Sequence, residues 1–328
     1  MEHVLSSIVS VGIDISKKKF DVALLSTDHT CIAKQYENTA EGISQFIQFL
    51  QTQKVAKATP CVLESTGDYH LLCAVMVTNA KFLVNVINPL ITKKYQLSSI
   101  RQAKSDRIDA KRLAEIGLKE PNLPVFSAKT DTISAHKLIS LLAKLEKIYQ
   151  QLHMSYNNFQ LTQATLKLTA IDLSAIDTAL KSLKQAIDTI KKYLVSLAPA
   201  QSTTLAATLP GVSSEKLSIL TLALTDKHFS NRDQLIAFVG LDVRARQSGQ
   251  WQGKQKLSKR GNPFLRKILY QIAWGLKTHH PDYKQYYHRL YLEEGKHYTT
   301  TLIAIARKFL RFLFAQFWKN AIFPQLNI

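Results

Sequence analysis

The chain has 328 residues, 46% of them hydrophobic, which is enough for two or three domains with real cores. Lys and Arg number 43 against 24 Asp and Glu, a formal net charge of +19 that points to a polyanionic partner, most simply nucleic acid. Cys31, Cys61 and Cys73 have no metal-binding spacing and make no even disulfide set, so they read as buried thiols in a reducing compartment.

No cationic start followed by an apolar stretch marks a signal peptide, and no apolar run approaches membrane-spanning length. These features point to a cytoplasmic protein without a membrane partner. In "IVSVGIDIS", Val9, Val11, Ile13 and Ile15 alternate with a strand period, and Asp14 points away from that apolar face. "FDVALLS" and "CIAKQY" continue as two short strands of a meander. "EGISQFIQFLQTQ" reads as a helix with Ile43, Phe46, Ile47 and Leu50 on one side. "PCVLEST" is a short buried strand ending at Glu64, "DYHLLCAVMVTNA" a helix, and "KFLVNVINP" a strand stopped by Pro89. After a basic stretch, "DRIDAKRLAEIGLK" reads as a helix. Strands alternating with helices predict an α/β domain with a mixed sheet over residues 1–128.

The middle, residues 129–200, follows another rule. Leu173, Ile176, Leu180, Leu183, Ile187, Ile190, Leu194 and Leu197 step by 3, 4, 3, 4, 3, 4 and 3, a heptad seam. Leu138, Leu141, Leu145, Ile148 and Leu152 step the same way upstream. This predicts a coiled-coil hairpin or a pairing between subunits, so a homo-oligomer, dimer or tetramer, is expected. "SLAPAQSTTLAATLPG" reads as a linker into a mainly α-helical C-terminal domain over 201–328. "LPGV" before an apolar helix is similar to the hairpin of helix-hairpin-helix modules, although Ser213 stands where a second Gly is common. From Leu241 to Lys319 there are 16 Lys or Arg against 4 Asp or Glu, a local net of +12. Tyr270, Trp274, Tyr283, Tyr286, Tyr287 and Tyr291 interleave with these cations, a composition that suits a nucleic-acid groove, though most of these rings are expected in the core. "RKFLRFLFAQFWKNAIF" predicts an amphipathic helix with a buried face.

The acids are scarce and suggestively placed. Asp14 lies mid-strand between Ile13 and Ile15, Glu64 ends a strand, and Asp106 and Asp109 open a helix. Singly, each has a structural explanation: Asp106 a helix cap, Asp109 a partner of the helix dipole, Glu64 a lysine's counter-ion. Together, with neighbouring strands and a helix across their ends, four carboxylates would form a hard-oxygen site for Mg²⁺ or Mn²⁺, the chemistry that phosphodiester cleavage uses.

"GIDISKKKFDVAL", "ESTGDYH", "VINP" and "KSDRIDAKRLAEIG" resemble the DEDD-type transposases of bacterial insertion sequences, the IS110 family, which includes Piv- and MooV-like DNA invertases. "LPGV", "FVGL" and "RQSGQWQGKQKLSKRGNPFLR" resemble that family's C-terminal transposase domain. The resemblance implies a RuvC-like, RNase H-like N-terminal domain whose four acids are Asp14, Glu64, Asp106 and Asp109. It also implies a nucleophilic serine in the Ser-Gly pair, here Ser248, and guidance by a structured bridge RNA. From the residues alone Ser258, beside Lys259 and Arg260, ranks level with Ser248; the family motif favours Ser248. Lys104, Arg246, Lys254, Lys259, Arg260 and Arg266 are the candidate phosphate contacts. The acids and Ser248 lie about 140 residues apart, so they must meet within one subunit or between two.

The function expected from these features is a site-specific DNA recombinase or transposase of an insertion sequence, working at the bacterial nucleoid. A metal-dependent junction-resolving endonuclease without a covalent serine intermediate is the alternative. A binding protein that uses only charge and coiled coil is the third reading, disfavoured by the intact acids and Ser-Gly block.

Overall fold

The structure is a computed structural model that describes residues 7–28, 30–65, 67–97, 106–128, 130–167, 171–225, 227–244, 247–248, 251–252 and 256–319. The chain divides into two compact units, residues 1–129 and 130–328.

The first unit is built on β1 (Ile8–Ile15), β2 (Lys19–Ser26), β3 (Cys31–Glu37), β4 (Cys61–Glu64) and β5 (Val84–Ile87). They form one mixed sheet in the order β3-β2-β1-β4-β5. The β1–β2 and β2–β3 pairs are antiparallel, and the β1–β4 and β4–β5 pairs are parallel. Helices α1 (Ala40–Thr52), α2 (His70–Asn79), α3 (Pro89–Leu97) and α4 (Asp106–Lys119) complete the unit. Alternation on β1 sorts its side chains between two layers. Val11, Ile13 and Ile15 join Ile43, Phe46 and Leu50 of α1 and Cys73, Ala74 and Val77 of α2 in one core. On the other face Val62 and Ile87 pack with Leu113 and Ile116 of α4. Pro89, expected as a stop, instead opens α3; a proline at the first helical position forfeits only an N–H that has no partner there.

Gly12 fixes how close α4 lies. A Cβ on Gly12 would stand 2.0 Å from the Ala110 carbonyl oxygen and 2.3 Å from the Ala114 nitrogen. Gly117 makes the second close approach, where a Cβ would come within 2.3 Å of Ser10 Oγ. Gly12 lies beside Ala110–Ala114 and Ser10 beside Gly117, so α4 runs opposite to β1 and its first turn falls towards Asp14.

The second unit is mainly helical: α5 (Thr130–Leu166), α6 (Ser174–Leu197), α7 (Ala200–Ala207), α8 (Ser214–Leu224), α9 (Arg232–Val239), α10 (Pro263–His279), α11 (Pro281–His288) and α12 (Tyr298–Phe314). Single π-helical turns follow at Arg289–Glu293 and Ala315–Lys319. Helices α5 and α6 pack antiparallel, since Tyr156 donates to Asp177 at 2.8 Å and Lys191 meets Glu146 at 3.0 Å. The α6 seam stands as expected, with Leu180, Ile187 and Leu194 buried. The α5 seam does not. Leu141 is 44% and Ile148 51% exposed, whereas Ala135, Ile139, Leu142 and Tyr156 are buried. The stretch expected as a linker contains α7, whose Ser202 hydroxyl is buried against Thr221 of α8 at 2.7 Å. Short runs of Ala and Thr carry a helix once a neighbouring helix supplies the packing that propensity lacks. Cys61 and Cys73 are buried and Cys31 is exposed, so the third thiol departs from expectation. Burial pushes the Cys61 thiol up to about 12, which keeps it protonated and inert.

Glu146 ties four helices together: it pairs with Lys191 of α6 at 3.0 Å and with Lys267 of α10 at 2.8 Å, and Lys191 reaches Glu215 of α8 at 3.4 Å. Burial pushes the Glu146 carboxyl up, but hydrogen bonds from Lys267 and Lys191 more than offset it and hold it below its usual 4.5. A carboxyl depressed in the folded state stabilises the fold above its unfolded pKa and ceases to do so as pH falls through the folded one. Acidification from neutral pH to about pH 3 will therefore destabilise the wild-type chain more steeply than Glu146→Gln, read from urea midpoints across the range. In the first unit, Gly12→Ala will cost about 1–3 kcal/mol or more in the same assay, because the methyl meets backbone that cannot rotate away.

Candidate active site

Asp14, Glu64 and Asp109 belong to the first unit, and the sheet register explains their placement. Gly12 is level with Val62 and Ile13 with Leu63 in the parallel β1–β4 pair, so Asp14 and Glu64 continue the ladder as neighbours at the C-terminal ends of both strands. They share the face of Gly12 and Val62, the face that α4 covers. Both are half-buried. Asp109 sits in the first turn of α4, the end the Gly12 contact aims towards Asp14. Its carboxylate accepts from Arg112 Nη1 at 2.8 Å, an i,i+3 ion pair with each side chain 18% exposed. Asp106 is the first residue of α4, and its side chain lies outside the described residues. Among the described residues no three His, Cys, Asp or Glu side chains are grouped closely enough to hold a metal. What the fold supplies is a set of hard-oxygen donors at one sheet end, the donor type that magnesium and manganese prefer.

One acid was missed in the sequence. Asp21 of β2 is directly opposite Asp14 in the antiparallel register and is 3% exposed. Gln35 Nε2 donates to both its carboxylate oxygens at 3.0 Å. The signal was present: Asp21 sits between Phe20 and Val22 in an apolar strand, the same oddity that singled out Asp14.

In the second unit, β6 (Val243–Arg244) pairs with β9 (Lys256–Leu257), and β7 (Gln247–Ser248) with β8 (Trp251–Gln252). Ser248 is opposite Trp251 in the second ribbon; its side chain lies outside the described residues. Arg246, Lys254 and Lys104 also lie outside them. Ser258 donates to the Asp242 carboxylate, and its backbone N–H donates to the Asp242 carbonyl at 2.9 Å. It does not cap α10; Asn262 does, accepting from Phe264 N at 2.8 Å. Lys259 and Arg260 are exposed, with Lys259 at a φ of 52°. Arg266 is turned inward, donating from Nη1 to the Val239 and Gly261 carbonyls at 3.2 and 2.5 Å. Gly261 is tightly packed: a Cβ there would stand 2.2 Å from the Phe238 carbonyl oxygen. Of the interleaved rings, Tyr283 and Tyr287 are buried, whereas Tyr270, Trp274 and Tyr291 are exposed.

A family model for DEDD-type IS110 transposases, described as "Transposase", matches residues 11–169, which contain the four acids. A second, "Transposase IS116/IS110/IS902 family", matches residues 203–288, which contain Ser248. The chain belongs to the IS110 transposase family. Two curated relatives align over nearly the whole length: the "Pilin gene-inverting protein" of Moraxella bovis, 27% identical over 332 residues, and that of Moraxella lacunata, 26% identical over 330. Each alignment covers 96% of this chain and 97% of the relative. A "Putative transposase y4rJ" of Sinorhizobium fredii is 40% identical over 73 residues, 22% of this chain and 18% of its own length. This IS110-family chain is thus a DNA transposase or recombinase enzyme, and the family's DEDD chemistry implies use of a divalent metal. No helix among the described residues is long and apolar enough to cross a membrane.

Arg266 separates structure from substrate binding in this family member. Arg266→Ala strands two backbone carbonyls, and thermal or urea unfolding will show a loss of about 1–3 kcal/mol without nucleic acid present. A residue that only contacts phosphate would leave that stability unchanged.

Proposed function

We propose that this transposase cleaves and exchanges DNA strands at specific sites of an insertion sequence. Asp14, Glu64, Asp106 and Asp109 hold Mg²⁺ or Mn²⁺, and Ser248 acts as the nucleophile. The observation that carries the reading is the shared face of Asp14 and Glu64, with the start of α4 directed onto it by Gly12. The sheet order β3-β2-β1-β4-β5, three antiparallel strands followed by two parallel ones, supports an RNase H-like, RuvC-like unit. The division of labour follows the chain: acids in 1–128, the α5–α6 hairpin in 129–200 as a coiled-coil oligomerisation element, and the serine in 201–328. The names of the Moraxella relatives, gene-inverting proteins, support conservative strand exchange over simple cutting.

The four carboxylates would hold the divalent ion, which would supply charge neutralisation to a phosphodiester bound against it. Ser248 Oγ bonds to phosphorus as the bond to one deoxyribose oxygen breaks; that oxygen leaves as a hydroxyl, taking up the proton Ser248 gives up. The reverse step, with a deoxyribose hydroxyl of another strand attacking, releases Ser248 and completes the exchange without external energy. Arg246, Lys254, Lys259 and Arg260, all within 12 residues of Ser248 in the sequence, are the proposed phosphate contacts. The positive charge also suits a bridge RNA that guides target choice, and a structured RNA-coding stretch beside the gene would support that part. The protein acts as a homo-oligomer in the bacterial cytoplasm.

Denaturing gels with labelled DNA test the mechanism. Wild-type protein will carry covalently attached DNA, and Ser248→Ala, Asp14→Asn or added chelator will remove it. Persistent cleavage by Ser248→Ala without an adduct would establish the metal-only endonuclease, and chelator-resistant binding without any cleavage would leave a binding protein.

A further inference from the structure

Asp21 is a buried carboxylate that the four-acid scheme does not use. We propose that it is a positioning residue for the divalent ion at Asp14, an inference that rests on the proposed metal site.

Three observations support this. The β1–β2 register puts Asp14 and Asp21 directly opposite each other, so their side chains leave the sheet on the same face, the one α4 covers. Like charges directly opposite in an antiparallel pair repel, and this pair is not on a solvated surface: Asp21 is 3% exposed and Asp14 half-buried. The Asp21 hydrogen bonds come from a neutral amide, Gln35 Nε2, at 3.0 Å to each oxygen, and among the described residues it makes no ion pair. An amide satisfies lone pairs without neutralising charge, so the carboxylate keeps its burial cost unless a cation stands nearby. A divalent ion on Asp14 meets that need. Gln35, on the edge strand β3, fixes the orientation of Asp21, and Asp21 in turn adds field and hydrogen-bonding capacity next to the first ligand. Carboxylates in this position orient ligands and tune the affinity of metal sites.

A purely structural Asp21 and a metal-positioning Asp21 predict opposite results. Asp21→Asn keeps the shape and a carbonyl oxygen but removes the charge. Without metal its Tm will match or exceed that of the wild type, because the repulsion is gone. Its affinity for Mn²⁺, measured by calorimetric titration of the full chain, will fall about tenfold, and the Mn²⁺-induced rise in Tm will shrink. Asp21→Glu, which restores the charge, will recover part of the affinity. Gln35→Leu, on an exposed edge-strand position, will weaken Mn²⁺ binding in the same direction and serves if Asp21→Asn does not fold. Asp14→Asn is the control. If Asp14→Asn loses Mn²⁺ while Asp21→Asn, or Gln35→Leu in its place, binds within about twofold of wild type, the role assigned to Asp21 is wrong and the metal site stands. If Asp14→Asn also binds Mn²⁺ as the wild type does, the metal site itself is misplaced.

Discussion

The packing of α4 on β1 at Gly12 and Gly117 is the constraint on which the first unit depends. At Gly12 the missing Cβ lets the helix backbone lie directly on the strand, and at Gly117 it admits the Ser10 and Val62 side chains against the helix. That contact buries Leu113 and Ile116 against Val62 and Ile87, and it sets the height of the first turn of α4 relative to the strand ends. A side chain at position 12 would lift the helix and shift its first turn, which carries Asp106 and Asp109, relative to the strand ends that carry Asp14 and Glu64. In the proposed metal site such a shift would matter, because sites of this kind tolerate displacements of only a fraction of an ångström.

A basic protein faces a particular difficulty in building an acidic site. Its field attracts phosphate over long distances, yet at close range the same cations compete for the carboxylates. Asp109 shows the competition directly, held by Arg112 one turn along α4. Topology offers the solution. Parallel strands β1 and β4 end side by side, so Asp14 and Glu64 become neighbours without being close in sequence, and the buried Asp21 joins them from β2. In the second unit several cations are already engaged: Lys191 and Lys267 on Glu146, Lys277 and Lys308 over tyrosine rings, Arg266 on two carbonyls. The carboxylate pairs cancel charge, but lysines over rings and an arginine on carbonyls keep theirs. They still contribute to the long-range field.

How much was legible in the sequence follows from the range of the forces involved. Alternation in "IVSVGIDIS" is a local signal, and it showed both the strand and that Asp14 lies on the face opposite Val11, Ile13 and Ile15. Asp14, Glu64 and the first turn of α4 could be read because each sits at the end of an element whose period is clear. Elements that depend on distant packing were harder. Helix α7, with Ser202 buried against Thr221, has no periodic apolar stripe of its own. The α5 seam was misread because Leu141 and Ile148 keep the heptad step while the helix turns Ala135, Ile139 and Leu142 to the core. The paired two-residue strands around Ser248 are shorter than any period can register. Charge alone did not distinguish Arg266, turned inward, from Lys259 and Arg260, which are exposed.

The two oddities that composition could flag, Asp14 and Asp21, are one feature seen twice. Each interrupts an apolar strand, and the register places them opposite each other on one face. A strand tolerates a single inward carboxylate if a donor reaches it, as Gln35 reaches Asp21. Two opposed carboxylates under a packed helix are harder to justify by folding alone, because each raises the cost of the other. Stability selected by itself would replace one of them with Asn or Val. In the proposed metal site a bound cation would offset the pair, which would link the burial pattern of β2 to the acids at the end of β1.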